Sequence, residues 1–156
     1  MAIKDIEDLL VNVKGYLKTN LNTYITSINA EKSGFDVDTI TADDKHYWVA
    51  GEMVDLPNRD FVAVGIVENV EAEVNGNDIK YIVILDARVV FAFGEKGEDY
   101  YKALRYARAL EETMLEYESD TDEVSDLQII NVIPMLIQAD KRKLISCGIT
   151  ISIAIA

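Results

Sequence analysis

The sequence predicts an α+β fold with a mostly antiparallel sheet, in the element order α-β-β-β-α-β-β. We expect two helices packed on one face of the sheet and a long projecting β-hairpin. Three observations lead to this prediction: two amphipathic helical segments, an Asn-Gly turn between two long β-branched segments, and a last segment with strict two-residue alternation. Strands joined by hairpins, with helices set apart, are typical of such a layered domain. No Pro/Ser-rich stretch divides the 156 residues, so we expect a single domain over residues 1–156.

The N-terminal segment, residues 3–28, has apolar side chains at the three- and four-residue steps of an amphipathic helix. These positions are Ile6, Leu9, Leu10, Val13, Leu17, Leu21, Tyr24 and Ile28. Gly15 and the polar residues Thr19, Asn20 and Asn22 are the points at which this helix could bend or be interrupted.

A polar stretch follows Ser33-Gly34 and continues to Lys45, and its composition predicts an exposed loop. Its acidic residues are Asp36, Asp38, Asp43 and Asp44. Residues 47–54 then form a short strand candidate, which the turn-rich residues 55–58 (DLPN) end.

The most specific local signal is a hairpin of two long segments, residues 61–74 and 79–93. They flank Asn75-Gly76-Asn77-Asp78, and Asn-Gly supplies the positive φ angles that a tight hairpin turn requires. At ~3.3 Å per residue each strand would be about 45 Å long, whereas typical strands hold about 5–6 residues. We therefore expect the hairpin to start in the core and to project beyond it with an apolar face that needs a partner.

The second helix is predicted to follow the turn at residues 94–97. Its apolar stripe consists of Tyr100, Ala103, Leu104, Ala107, Leu110, Met114 and Tyr117. The opposite side carries Lys102, Arg105, Glu112 and Glu116. The acidic residues 116–126 are interpreted as a solvated loop that ends the helix.

Two antiparallel strands, residues 127–138 and 144–155, are predicted to close the chain around the turn Asp140-Lys141-Arg142-Lys143. In the last strand, one face carries Ile145, Cys147, Ile149, Ile151, Ile153 and Ile155. The small residues between them form the other face, so the period is two without a break.

The composition limits the classes of partner. A net charge of −13 opposes non-specific binding to nucleic acid and to anionic lipid, because the field of the protein repels both. No segment reaches the roughly 18 apolar residues of a membrane helix, so we expect no membrane partner. Cys147 is the one cysteine, which excludes an intrachain disulfide.

The sequence predicts no catalytic, cofactor-binding or metal-ligating residue. Cys147 lies among isoleucines expected to point inward, where a thiol packs as a small hydrophobe, and His46 is given a structural or interface role. One histidine and one cysteine are too few for a zinc enzyme. The sequence from Asp120 to Asn131 starts like a calcium loop but lacks the glycine at its sixth position and the glutamate at its twelfth.

The turn between the hairpin and the second helix resembles a phosphate-binding turn in its glycines only. It has neither the Walker spacing nor the G-x-G-x-x-G pattern. Glu98 and Asp99, in the first helical turn, would repel a phosphate, so Gly94 and Gly97 are interpreted as turn formers.

The aromatic residues and the hairpin supply the candidates for a subunit interface. Tyr47, Trp48, Tyr100, Tyr101 and Tyr106 are interpreted as core or interface anchors. The predicted interface consists of Val70, Ala72, Val74, Ile79, Tyr81, Tyr47 and Trp48.

The order of elements resembles that of the tail terminator or tail completion (neck) proteins of long-tailed bacteriophages. Three features carry the resemblance, which spans nearly the whole chain: the amphipathic N-terminal helix; residues 47–54 (YWVAGEMV) followed by the long hairpin; and residues 100–112 (YYKALRYARALEE) leading into two strands. The resemblance is one of element pattern and includes no diagnostic motif.

The resemblance implies a virion protein, made in the host bacterial cytoplasm, that forms a ring, usually a hexamer, at the head-tail junction. It implies no enzymatic activity and no cofactor, with other copies, tail tube proteins and connector proteins as partners. DNA would pass through the ring without specific binding, and Asp120, Asp122 and Glu123 are the candidates for an acidic lumen. A head-tail joining or minor capsid protein, a non-viral ligand-binding α+β module and an enzyme with a carboxylate pair stay open as alternatives.

Overall fold

The computed structural model describes residues 3–53, 55–75, 78–94, 97–139 and 142–155, without the side chains of residues 68–75, 78–80, 125, 130–139 and 142. The elements are α1 (Ile6–Glu31), β1 (Tyr47–Val49), a 3₁₀ turn (Ala50–Glu52), β2 (Phe61–Asn75), β3 (Asp78–Ala92), α2 (Glu98–Asp120), β4 (Val124–Ala139) and β5 (Arg142–Ile155). The predicted α+β class and element order are confirmed.

The five strands form one sheet in the order β1-β2-β3-β5-β4. Three of the four strand pairs are antiparallel, and only β1 runs parallel to its neighbour β2. Helix α2 connects β3 to β4 at the far margin, and β5 then folds back between them. The last strand of the chain is therefore an interior strand of the sheet.

Both helices pack on the same face of the sheet and form the main core with it. On α1 the side chains of Leu9, Val13, Leu17, Leu21, Ile25 and Ile28 are at most 1% exposed. Helix α1 lies against α2, β1 and β2, whereas α2 lies against β3, β4 and β5. Full burial of one such side chain stabilises the fold by about 1.5–3 kcal/mol, so the apolar face of α1 makes a large contribution to stability.

Helix α1 is continuous through the residues at which the sequence suggested a bend. Thr19 donates its hydroxyl hydrogen to the Gly15 carbonyl at 3.0 Å, and Asn20 donates to the Tyr16 carbonyl at 3.0 Å. Because these side chains bond to carbonyls one turn earlier, they do not compete with the helix for its amide groups.

The acidic loop before β1 is largely exposed, as predicted, but two of its apolar side chains are buried. Val37 and Ile40 are 5% and 1% exposed. Asn29 donates to the Val37 carbonyl at 2.8 Å and accepts from the Val37 amide at 3.0 Å. Asn22 bonds in the same two-point way to Ile40, at 2.7 and 2.8 Å. Two asparagines two helical turns apart thus hold residues 36–41, named the strap, along α1.

Strand β1 is shorter than the predicted residues 47–54. The chain turns into the 3₁₀ turn after Val49, and the Glu52 carboxylate accepts a hydrogen bond from the Val49 amide at 3.2 Å. Val54 lies outside the described residues.

The predicted hairpin is present as β2 and β3, with Asn75 paired to Asp78. Gly76 and Asn77 lie outside the described residues. The register shifts between Ile66 and Val70. The pairing of β5 with β3 begins at Tyr81, so residues 78–80 have no pairing to β5.

Helix α2 differs from its prediction in which side chains are buried near its start. Tyr100 and Leu104, placed in the apolar stripe, are 54% and 37% exposed, whereas Arg105, placed on the solvent side, is 8% exposed. The Arg105 guanidinium donates to the carbonyls of Phe35 at 2.7 Å and Ser33 at 3.4 Å. Burial of the charged Arg105 side chain is tolerated because these loop carbonyls replace water as its hydrogen-bond partners.

The acidic segment 116–126 is divided between the end of α2, a short loop and the start of β4, which corrects the predicted loop over these residues. Helix α2 continues to Asp120 and β4 begins at Val124, so the loop consists of residues 121–123. Strand β4 is followed by Asp140 and Lys141, which lie outside the described residues.

We expect the position of the strap to depend on its hydrogen bonds to Asn22 and Asn29 of α1. Asn22→Ala or Asn29→Ala leaves a buried backbone amide and carbonyl of the strap without partners, which should lower the free energy of unfolding by about 1–3 kcal/mol. Urea unfolding followed by circular dichroism measures this loss.

Asn20→Ala is the matched control, because the Tyr16 carbonyl that Asn20 contacts lies within the regular helix. It should change the unfolding free energy by only a few tenths of a kcal/mol. Equal effects of all three substitutions would contradict the proposed role of the strap contacts.

Candidate interaction surfaces

The Cys147 side chain lies in the core, as predicted. It is fully buried, its neighbours along the strand face are Ile145 and Ile149, and it packs against α2 near Ala107. Burial raises the pKa of the thiol to about 11. The thiol is therefore protonated at neutral pH, and a protonated, inaccessible thiol is a poor nucleophile.

His46 has a structural contact at the start of β1. Its Nδ1 lies 2.6 Å from Asp43 Oδ1, and the same carboxylate accepts hydrogen bonds from the amides of Lys45 and His46. The hydrogen bond from His46 holds the pKa of the Asp43 carboxyl below its usual range. This contact orders the chain as it enters the sheet.

The start of α2 carries a carboxylate where a phosphate-binding turn would hold its ligand. Asp99 is 6% exposed and accepts a hydrogen bond from the Gly94 amide at 2.8 Å. An anion at a helix N-terminus is favoured by the helix dipole, and here the protein supplies that anion itself. Glu95 and Lys96, the middle of the predicted turn, lie outside the described residues.

The acidic residues do not assemble a metal site in the part of the chain that the structure describes. Asp120, the first residue of the calcium-like pattern, accepts a hydrogen bond from the Tyr16 hydroxyl at 2.6 Å. One turn earlier on α2, Glu116 accepts from the Tyr24 hydroxyl. That hydrogen bond is the main cause that raises the Tyr24 pKa to about 12.

The three lumen candidates lie at the junction of α2 and β4. Asp120 and Asp122 are exposed and Glu123 is half-buried. Asp120 also joins α2 to α1 through Tyr16, so it has a structural contact in addition to its charge. The three residues are contiguous or nearly so, and they concentrate negative charge at one end of the helical layer.

A cavity of about 230 Å³ between the strap and the start of α2 is lined by Asp36, Asp38, Asp60 and Asp99, with Lys102 and Tyr106 among its other residues. Burial raises the pKa of the Asp60 carboxyl, and the nearby charge of Asp38 adds to the effect. The Tyr106 hydroxyl donates to the Asp38 carbonyl at 2.7 Å.

An aromatic patch, defined by Phe35, Tyr100, Tyr101 and Leu104, is exposed on the outer side of α2. The rings of Phe35 and Tyr101 stack with centroids 5.4 Å apart, and Arg105 lies over Phe35 at 5.9 Å. A cavity of about 610 Å³ opens beside these residues. Tyr100 and Tyr101 are therefore surface residues, whereas Tyr106 is 2% exposed and belongs to the core.

The predicted subunit interface is partly corrected. Tyr47 is 1% exposed and packs in the main core, so its side chain is inaccessible to another subunit. Trp48 and Tyr81 are half-buried, and Trp48 packs beside Phe61 and Val90. The remaining predicted residues are Val70, Ala72, Val74 and Ile79, whose side chains lie outside the described part of the structure.

The sheet face opposite the helices carries a second, smaller cluster and a polar network. Phe61, Val90 and Leu144 form the cluster. Farther along, Arg88 contacts Asp86 at 2.5 Å and Ser146 at 3.3 Å. Neither described helix packs on this face.

The two margins of the sheet differ in length. Strand β1 pairs only with Val62, Ala63 and Val64, so β2 has no outer neighbour among the described strands from residue 65 to residue 75. On the other margin β4 pairs only with β5. Both margins therefore expose strand backbone, which can accept a further strand.

No protein-family model and no curated protein sequence matches this chain. Within the described residues, neither helix combines the length and the apolar character needed to cross a membrane.

We expect Cys147 to resist thiol reagents in the native protein. A charged aromatic disulfide should label it slowly at neutral pH, because reaction requires the strand to leave the core, and rapidly in denaturant. Absorbance of the released thiolate measures both rates. Rapid labelling without denaturant would show that the face between β5 and α2 is open to solvent.

Proposed function

We propose that this protein is a structural virion protein of a long-tailed bacteriophage, which forms a ring at the head-tail junction, caps the tail tube and joins it to the connector. The observation that carries the proposal is the long outer edge of β2 beyond the short strand β1. Strand β2 continues for residues 65–75 past the end of its contact with β1, and the chain described supplies no second strand for that edge.

The architecture supports the proposal through the element order that carries the resemblance. That order of helices and strands is present in the fold, and both helices lie on one side of a sheet. Among the described strands, the outer edge of β2 beyond residue 64 and the outer edge of β4 have no further strand beside them. A subunit of a ring needs two different contact surfaces of this kind, because each copy meets one neighbour on each side.

The electrostatics support a role in DNA passage. The net charge is −13, and an acidic ring would repel DNA along its lumen instead of retaining it. The exposed carboxylates of Asp120 and Asp122 are close in the chain to the half-buried Glu123, and we propose that these three residues face the lumen. The partners are then other copies, the tail tube and the connector, and the location is the neck of the virion after synthesis in the bacterial cytoplasm.

The surroundings of the two residues best suited to catalysis support a non-enzymatic role. Cys147 is buried among aliphatic side chains and His46 is engaged with Asp43. Asp99 occupies the helix N-terminus that could otherwise take a phosphate. Each group is held by contacts that stabilise the fold.

We expect purified protein to form closed rings. Negative-stain images should show a central opening, and light scattering should give a mass that is an integral multiple of 17.5 kDa. A monomer at all concentrations tested would contradict the proposal and would favour a ligand-binding module that uses the cavity beside the aromatic patch. Rings that bind purified connectors but not tail tubes would favour the head-tail joining alternative.

We expect the hairpin tip to be required for assembly and dispensable for folding. Replacement of residues 71–80 by a short turn should leave the circular dichroism spectrum of a folded α+β protein but reduce the mass to that of a monomer. The reason is that residues 78–80 lie beyond Tyr81, the last residue of β3 that pairs with β5.

Asp122→Asn is the control for the truncation, since it changes an exposed residue in the loop after α2 and should preserve the ring. A truncated protein that is folded and keeps the full ring mass would show that the hairpin tip makes no essential subunit contact.

A further inference from the structure

The solvent side of α2 carries a line of side chains at the spacing with which helices pack on one another. The positions follow steps of three and four residues in strict alternation, which is the period of a coiled-coil seam. This line, named the outer stripe, consists of Tyr101, Leu104, Arg108, Glu111, Leu115 and Glu118. A seam of this kind is the surface on which a second helix can lie.

The outer stripe is open to solvent in the single chain. Tyr101 is 55%, Leu104 is 37% and Leu115 is 48% exposed. The charged members of the stripe are half-buried: Arg108, Glu111 and Glu118. Through its other sides α2 lies against α1, β3, β4 and β5, so no element of the described structure covers the outer stripe. At one end, Phe35 stacks on Tyr101 and widens the apolar surface.

The outer stripe is complementary to its own reverse. Two copies of α2 can lie antiparallel about a two-fold axis that passes between residues 109 and 110. In this register Leu104 lies opposite Leu115 of the second copy, so an apolar side chain meets an apolar one. Arg108 lies opposite Glu111 of the second copy, so opposite charges meet. The two-fold axis repeats each of these pairs.

The last pair of the register brings Tyr101 opposite Glu118 of the second copy. The same chemistry already joins the two helices within one chain, since the Tyr16 hydroxyl of α1 donates to Asp120 of α2 at 2.6 Å. Helices α1 and α2 are also antiparallel. A second copy of α2 would therefore meet the outer stripe with the tyrosine-carboxylate contact that α1 makes on the neighbouring side.

Other alignments of the two helices match poorly. A parallel alignment in register places Arg108 beside Arg108 and Glu111 beside Glu111, and like charges oppose association. An antiparallel alignment shifted by one heptad places Leu104 opposite either Arg108 or Asp122. The register centred between residues 109 and 110 is therefore the one that the sequence of the stripe favours.

The central charged pair is prepared by contacts within the chain. Arg108 donates from Nε to Glu112 at 3.1 Å and from Nη2 to Glu31 at 2.8 Å. These bonds hold the guanidinium at the surface of α2. Because the side chain is already ordered, a further contact with Glu111 of a second copy costs little additional side-chain entropy.

We infer that two copies of this chain associate through their outer stripes, with α2 antiparallel to α2 about a two-fold axis. The contact is isologous, since both copies use the same surface. It uses neither the hairpin nor a sheet edge, so it does not depend on the proposed ring. One pair of helices over about 26 Å is a small interface, and small interfaces are weak, so the pair forms at high protein concentration.

The first measurement is the mass of the full chain by sedimentation equilibrium, from about 1 µM to about 1 mM protein. The mass should double as the concentration rises, whether the dilute species is a monomer or a ring. Asp55→Arg is the control for a change of charge, because Asp55 is exposed and lies beside Leu56, which packs with the cluster on the opposite sheet face. This variant should keep the doubling.

Charge exchange tests the central pair of the register. Glu111→Arg places arginine opposite Arg108, and Arg108→Glu places glutamate opposite Glu111, so each variant alone should lose the doubling. An equal mixture of the two variants restores opposite charges at both positions and should regain it. Circular dichroism checks that each variant is folded, which matters because Arg108 also contacts Glu31.

Cross-linking tests the register without any change of charge. In a mixture of L104C and L115C proteins, a short bis-maleimide should give a dimer that contains one of each variant. Either variant alone should give little, because identical positions are 11 residues, or about 16 Å, apart along the helices. The native Cys147 is buried, and the parent protein is the control for its reaction.

The other outcomes overturn the inference in distinguishable ways. Doubling that persists in both charge variants, or L104C that links mainly to itself, would show that copies meet through another surface or register. A mass that never doubles, together with rings in negative stain, would overturn the helix pairing and leave the proposed function intact. Doubling with L104C–L115C dimers but without rings would support the helix pairing and count against the proposed function.

Discussion

The buried isoleucine face of β5 is the constraint on which the rest of the fold depends. Ile149, Ile151 and Ile153 are fully buried beneath the helical layer. A strand whose whole face is apolar needs neighbours on both sides and a cover above, and β3, β4 and α2 supply them. This requirement places the last strand of the chain inside the sheet and moves β4 to its margin.

The other face of β5 is constrained by close packing of the backbone. A Cβ atom at Gly148 would lie 2.5 Å from Arg88 Cγ and 2.9 Å from the Ala87 carbonyl oxygen. Glycine is therefore required for the Arg88 side chain to cross the strand and contact Ser146. The alternation of large and small residues in β5 thus serves two faces with different needs, a hydrophobic core and a thin polar layer.

The acidic surplus also takes part in the fold. Glu116 and Asp120 on α2 accept hydrogen bonds from Tyr24 and Tyr16 on α1, and Arg108 contacts Glu31 at 2.8 Å. Each exposed contact contributes little by itself, because solvent screens the charges. Together they fix how the two helices lie against one another, which sets the shape of the surface offered to other copies.

The sequence by itself determined the α+β class, the order of elements, the hairpin and the buried face of β5, because periodicity and Asn-Gly turns are local signals. Only the tertiary structure decided the position of β5, the burial of Tyr47 and Arg105, and the exposure of Tyr100. Asn22 was interpreted as a point at which α1 could bend. The hydrogen bonds of Asn22 and Asn29 to the strap could not be predicted, because Val37 and Ile40 meet α1 only after folding. The local pattern of the sequence shows which residues are apolar. Whether a side chain is buried, or a strand lies at the edge of the sheet, depends on which distant segment of the chain packs against it.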